Sequence, residues 1–255
     1  MKFIQLVSSS FLALAATAAF AGPPQDCPVT YEQLKTALTA AIGESNGTLS
    51  FDMWGTVVNR DGRVCAVAST GADLNDQWLA SRVISAQKAY TAASLGNSKG
   101  SFGTPNTQSF AFSSAGLYLA TQPGGALYGL QHSNPVDTTF AYAGNQTKFG
   151  TKKDPLVSRR VGGINVFGGG LALFDTADHL VGGLGVSGNT SCADHNIAWR
   201  VRSNFVTNAI AQGPKLEIGI DYAGGYPDCG NNEKSIFEQI GNPLDPGFLT
   251  QRFPT

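Results

Sequence analysis

The chain has 255 residues, 17 basic side chains against 18 acidic ones, and charged residues make up only 14% of it. The one compact basic cluster is Lys152-Lys153 with Arg159-Arg160, which argues against a nucleic-acid binder, since that function needs a basic stripe to displace counterions from phosphates. Glycine, at 31 residues, points instead to a tightly turned, sheet-containing domain with much backbone at its working surface.

Residues 1–21 carry one early charge, Lys2, then an apolar run from Phe11 to Phe20 that closes on Ala19-Phe20-Ala21. This pattern predicts a cleavable secretory signal, cut before Gly22 and too short to span a bilayer. No later stretch reaches the roughly 18 uninterrupted apolar residues of a membrane span. The expectation is an exported protein, secreted or periplasmic, with residues 22–255 forming a single domain and no membrane association after cleavage.

Thr30 and Gln33 form a capping-box pair ahead of Leu34, Leu38, Ala41 and Ile42, which share one helical face; the helix should stop within 43–47. Runs 51–58 and 63–69 read as a hairpin whose turn, Asn59-Arg60-Asp61-Gly62, places glycine where a positive φ is needed. Helical spacing returns over 76–95 through Leu79, Val83, Ala86, Tyr90 and Ala93. Residues 102–161 form a long covering insertion with a short helix over 113–121, stopped by Gln122-Pro123-Gly124-Gly125. Tyr118, Tyr128, Leu130, Phe140 and Tyr142 are its apolar anchors.

A second hairpin follows, with strands over 164–174 and 179–187 around the turn Asp175-Thr176-Ala177-Asp178. Ser191 with Asp194 is read as the cap of a helix whose buried stripe is Ile197, Val201, Phe205 and Ala209. Residues 216–222 suggest an edge strand, and the tail over 213–255 wraps the surface.

Cys27, Cys65, Cys192 and Cys229 are an even set in an exported chain and read as two disulfides. Three connectivities are open, with Cys192 to Cys229 as a working pairing. A zinc site would be expected to show a C-x-x-C pair, and none is present.

Gly183-Leu184-Gly185-Val186-Ser187-Gly188 matches G-x-G-x-x-G, but the strand before it is a hairpin partner rather than part of a parallel βαβ unit, so no nucleotide cofactor is expected. The glycines and the amides at the helix start could still cradle an anion. Gly185-Val186-Ser187-Gly188-Asn189 fails the nucleophile-elbow pattern at its last position, leaving Ser187 a strand-end hydrogen-bonding role. His195, in the first helical turn beside that loop, and His132, in the covering insertion, are the candidate metal ligands, because a neutral imidazole is a common metal ligand. His179 beside the hairpin turn reads as solvated. Asn46, Asn145 and Asn189 each begin an N-x-S/T pattern.

Three blocks carry a family likeness: Val57-Val-Asn-Arg-Asp-Gly-Arg-Val-Cys-Ala66, Ser81-Arg-Val-Ile-Ser-Ala-Gln-Lys-Ala-Tyr-Thr-Ala92, and Gly163 through Asp194 with Gly182-Gly-Leu-Gly-Val-Ser-Gly188. From about Thr30 to Ala211 the chain resembles the GlcG/HbpS-like haem-binding family, the DUF336 domain, which includes the C-terminal part of the PduO cobalamin proteins. The resemblance implies an α+β fold with profilin-like α/β/α layers, a five-stranded antiparallel sheet flanked by helices, homo-oligomers, and binding of haem or a related corrinoid. Lys88, Gly185, Ser187, Gly188 and Asp194 stand where the family has its Lys-Ala, Val-Ser-Gly and Asp elements. His195 stands where an acidic residue is usual.

The reading is an exported small-molecule binding protein with haem as the leading ligand, using Lys88, His132, Gly185, Ser187, Gly188, Asp194 and His195, with the metal on His195 or His132. The competing reading is an enzyme acting on a small oxidised metabolite with Lys88, Asp194 and His195 as acid/base groups. A third is a structural or sensory partner that uses 102–161 as an interface.

Overall fold

The computed structural model describes residues 26–101, 108–205, 210 and 213–240, so the leader and its cleavage point lie outside the described residues. Helix α1 (Tyr31–Ile42) starts at Thr30, whose hydroxyl accepts from Gln33 N at 3.3 Å while the Gln33 side chain accepts from Thr30 N at 2.8 Å. Strands β1 (Trp54–Asn59) and β2 (Val64–Ser69) form the expected hairpin, with Gly62 at φ 78° in its turn. Helix α2 (Ala80–Ser94) runs straight into a two-residue strand, β3 (Gly96–Asn97). Strand β4 (Phe110–Phe112) opens the insertion, where the short helix expected over 113–121 is a pair of 3₁₀ turns, Ala115–Leu117 and Leu119–Thr121. The insertion also holds a single helical turn, α3 (Thr138–Ala141).

Strands β5 (Gly170–Phe174) and β6 (Leu180–Ser187) are the second hairpin, followed by α4 (Ser191–Asn204). The first of these strands is shorter than read from sequence, because residues 164–169 leave the ladder. The cap of α4 is Thr190 rather than Ser191: its side chain accepts from Ala193 N at 3.2 Å, and Ser191 is already helical. Strand β7 (Leu216–Ile218) and helix α5 (Glu233–Gln239) complete the described chain.

The strands form two sheets rather than one of five. β2-β1-β6-β5 is wholly antiparallel, whereas β3-β4-β7 is separate and pairs β4 with β7 in parallel. The residues read as an edge strand near 216 therefore join β4, not the main sheet. The cause lies in the pairing of β4: Leu95 O and Ile218 O take the amides of Phe112 and Ser113, so β4 is held between β3 and β7.

Helices cover both faces of the main sheet. On one, Leu34, Leu38 and Ala41 of α1 and Ile197, Ala198 and Val201 of α4 pack on Val57, Ala66, Leu171, Leu173, Leu184 and Val186. On the other, Val83, Ala86, Ala89 and Ala93 of α2 pack on Trp54, Val58, Val64 and Val67. Alternation along each strand sorts these sets. Along β6 the positions facing α2 are glycine for a steric reason: a Cβ at Gly183 would lie 2.2 Å from Ala89 O, and one at Gly185 would lie 1.9 Å from Ser85 O. Gly170, paired with Gly185 across β5, would meet Lys88 O at 2.6 Å. The helix backbone rests directly on this glycine floor, and the small residues Ser85, Ala89 and Ala93 make the approach possible.

The insertion lies against α2. Ala141, Leu156 and Val161 extend the α2 core, and Asp154 takes a bidentate grip on buried Arg82, with Arg82 Nε donating to Oδ2 at 2.9 Å. Among the described residues no helix is long and apolar enough to cross a membrane.

Candidate functional site

The close approach of α2 to β6 sets up the one buried charge pair that joins α2 to α4. Lys88, 1% exposed, donates from Nζ to Val186 O at 3.0 Å and to Asp194 Oδ2 at 2.6 Å. Asp194 sits in the first turn of α4, and its Oδ1 accepts from Asn189 N at 2.8 Å. Gly188, at φ 150°, has no room for a side chain because Asp52 O lies 2.8 Å from where its Cβ would be. Ser187 ends β6 beside this turn, buried at the Trp54 pairing position. Burial pushes the Asp194 carboxyl up to about 6 against the pull of Lys88, and burial likewise lowers Lys88 against the pull of Asp194.

His195 follows directly and is 1% exposed. Neither ring nitrogen has a hydrogen-bond partner. Burial holds the imidazole down to about 3, with the positive charges of Arg202 and Lys88 adding to the effect, so the ring is neutral at ordinary pH. Its ring lies 6.0 Å from Phe237 of α5. The tail supplies the rest of this enclosure. Tyr226 packs at 5.0 Å on Tyr118, and its hydroxyl accepts from Gly168 N at 3.0 Å; Tyr222 packs at 5.5 Å on Phe237, and its hydroxyl is buried without a partner. Cys192 is bonded to Cys229, and Cys27 to Cys65, so both expected disulfides form and the working pairing is the one found.

Lys88, Gly185, Ser187, Gly188, Asp194 and His195 are thus brought together. His132 is not: it is exposed, on a turn whose neighbour Leu130 packs with Leu117, Ile164 and Val166. His179 is exposed beside Asp175, its Nδ1 3.1 Å from Oδ2. The amides expected to form a cradle around Gly183–Gly188 are largely engaged within the chain: β6 pairs with β1 on one side and β5 on the other, Val186 N donates to Gly169 O at 2.8 Å, and the amide of Asn189 is taken by Asp194. An anion would have to displace a carboxylate the chain already provides. Two surface clefts of about 450 and 490 Å³ lie along α1 and α4, and their linings do not include Lys88, Asp194 or His195.

Sequence reading missed Tyr222, Tyr226 and Phe237. The available signal was the pair of tyrosines four apart just before Cys229, in a tail otherwise rich in glycine. Among the described residues no cluster of three or more His, Cys, Asp or Glu side chains could hold a metal ion.

Helices on both faces of a glycine-floored antiparallel sheet, with a Lys–Asp pair sealed where the last strand turns into α4, define an α+β domain built around a strand-to-helix turn. The chain belongs to the family described as haem-degrading protein HbpS-like, whose model matches residues 29–202. Two solved structures are similar. One is the Klebsiella pneumoniae protein ORFY, of the DUF336 family, at 21% identity and TM-score 0.45, covering 77% of this chain and 97% of that one. The other is a PduOC:heme complex at 22% identity and TM-score 0.44, covering 71% and 94%. No curated protein gives a match. The family resemblance read from the three sequence blocks is therefore correct.

Proposed function

We propose that the protein is an exported binder of haem or a closely related tetrapyrrole, with His195 as the iron ligand and the Lys88–Asp194 pair as the brace that fixes the turn carrying it. The observation that carries this is a neutral imidazole with both nitrogens unpaired, next to the family's Asp position, in a chain of a family named for haem. A neutral imidazole is the form that binds iron, and an unpaired buried donor costs about 1–3 kcal/mol unless a partner arrives. The donor fits the group; with His195 at 1% exposure, access requires the enclosure to open. The apolar leader pattern and the two disulfides support export. Homo-oligomers remain part of the proposal and are checked by native mass.

Haemin titrated into the purified protein, both untreated and with its disulfides reduced by a dithiol, is expected to give a shifted Soret band in the form in which the enclosure opens. His195→Ala should lose that shift, and His132→Ala should keep it. Equal spectra for wild type and His195→Ala would remove His195 as the ligand; loss on His132→Ala alone would move the site to the insertion.

The buried amine and acid favour a second reading, in which Lys88, Asp194 and His195 exchange protons with a small oxidised metabolite. Turnover without any bound tetrapyrrole, abolished by Asp194→Asn, is its signature.

A further inference from the structure

We infer that the segment from Gly219 to Gln239 is a cover over His195, latched by the Cys192–Cys229 disulfide and loosened when a dithiol reduces that bond. The haem reading above supplies only the reason for guarding His195; the latch itself stands on the following geometry.

Cys192 and His195 lie three residues apart on α4, so the crosslink and the imidazole are neighbours on one helical face. Within the covering segment Phe237 lies beside the ring with Tyr222 packed on it, a Cβ at Gly219 would lie 4.0 Å from His195 Nε2, and Tyr226 is seated on Gly168. The contact between cover and helix is poorly satisfied at its centre. His195 Nδ1 and Nε2, Asn196 Oδ1 and Tyr222 Oη are all buried with no partner, so closure forgoes hydrogen bonds that water would make on opening. The polar anchors flank it, where Glu233 accepts from Thr190 Oγ1 at 2.8 Å and its carbonyl accepts from the other end of the same Asn196 amide, Nδ2, at 3.0 Å. A covalent tie close to the unsatisfied centre offsets that deficit. Its buried end is Cys192, fully enclosed, whereas Cys229 is half-buried between exposed Asp228 and Gly230, so a thiolate can attack from the Cys229 side.

In the chemical step a dithiol donates two electrons and two protons. The Cys192–Cys229 S–S bond breaks through a mixed disulfide, both cysteines leave as thiols, and the dithiol closes to its own disulfide. The two cysteines are 37 residues apart, and removing the closure constraint on a loop of that size raises the open population by at most several hundredfold, less for the part of the loop that stays folded in α4.

The test is the rate at which diethylpyrocarbonate modifies each of the three histidines, read by peptide mass spectrometry on the whole protein without haem. Exposed His132 and His179 serve as internal references. The Cys192→Ser/Cys229→Ser variant keeps the other disulfide and is compared with oxidised wild type and with wild type treated with a dithiol. Expected is a protected His195 in oxidised protein and an increase on the order of a hundredfold in the other two, with hydrogen exchange in α2 unchanged. Three results overturn the latch: His195 reacting as fast before reduction as after, His195 staying protected with both sulfurs free, or His195 opening only together with loss of α2 protection. If the opened form then fails to shift the Soret band of haemin, the haem reading falls while the latch stands.

Discussion

The two faces of the main sheet bury polar chemistry differently, although each carries both kinds of group: Trp54 Nε1 is buried without a partner on the α2 side, and Arg202 of α4 is paired with Glu217. On the α2 face the backbone of the helix touches the glycines of β5 and β6, and the buried charges are matched: Arg82 with Asp154, Lys88 with Asp194. Where α4 meets the tail, aromatic rings fill the space and an imidazole, an amide oxygen and a phenol hydroxyl are left without partners. A site that needs a free donor can exist only where such matching was left incomplete. On the reading proposed above, the α2 side is the scaffold and His195 carries the reactive group.

The sharpest way to break the comparison is to unmatch the α2 side. Asp194→Ala leaves the Lys88 ammonium buried alone and is expected to cost roughly 3–5 kcal/mol in urea unfolding, with most of it recovered by Lys88→Met in the same chain. A loss under about 1 kcal/mol would mean the pair is open to water. Next comes the glycine floor. Gly185→Ala drives a methyl into Ser85 O and Ala89 N, both backbone atoms, and should cost about 3 kcal/mol by the same measurement.

The smallest effect is expected at the unmatched group. His195→Leu removes two unsatisfied nitrogens and should be neutral or stabilising by about 1 kcal/mol at pH 7; a clear loss would reveal a hidden partner. Its pH dependence sharpens the point. His195 is held near 3 in the folded chain, so its contribution is full above the ordinary 6.5 and is lost as pH falls from there toward 3. Asp194, raised to about 6, acts in the opposite sense, adding stability as pH falls from 6 toward 3.8. The two partly cancel in wild type. The difference between the wild-type and His195→Leu stability curves should therefore carry the histidine slope alone, about 1.4 kcal/mol per pH unit below 6.5.

Much of the layered fold was legible because its signals are local. The Thr30–Gln33 cap, the Gly62 turn and the apolar spacing of α1, α2 and α4 each lie within a few residues, and the structure forms those elements, with α2 starting only at Ala80 so that Leu79, read on its apolar face, is 53% exposed. The second sheet was not legible, since β3, β4 and β7 have two to three residues each and β4 and β7 are defined by partners more than a hundred positions away. Of the site, the proximity of Lys88, Asp194 and His195 followed from the family blocks. The sense of the glycines did not: Gly183 and Gly185 looked like room for a ligand, and the room is taken by the backbone of α2. Glycine in a strand signals close approach without saying what approaches.

Arg82 links the insertion to the rest in a way that restricts how the chain can be cut. Its guanidinium is 1% exposed, lies 3.7 Å from the centre of the Phe149 ring and donates to Ala141 O at 3.3 Å as well as to Asp154. Everything that neutralises or shields it in those contacts comes from residues 141–154. A version of this protein trimmed across that stretch would strand a cation inside α2, so shortening the insertion and replacing Arg82 with an apolar residue must go together.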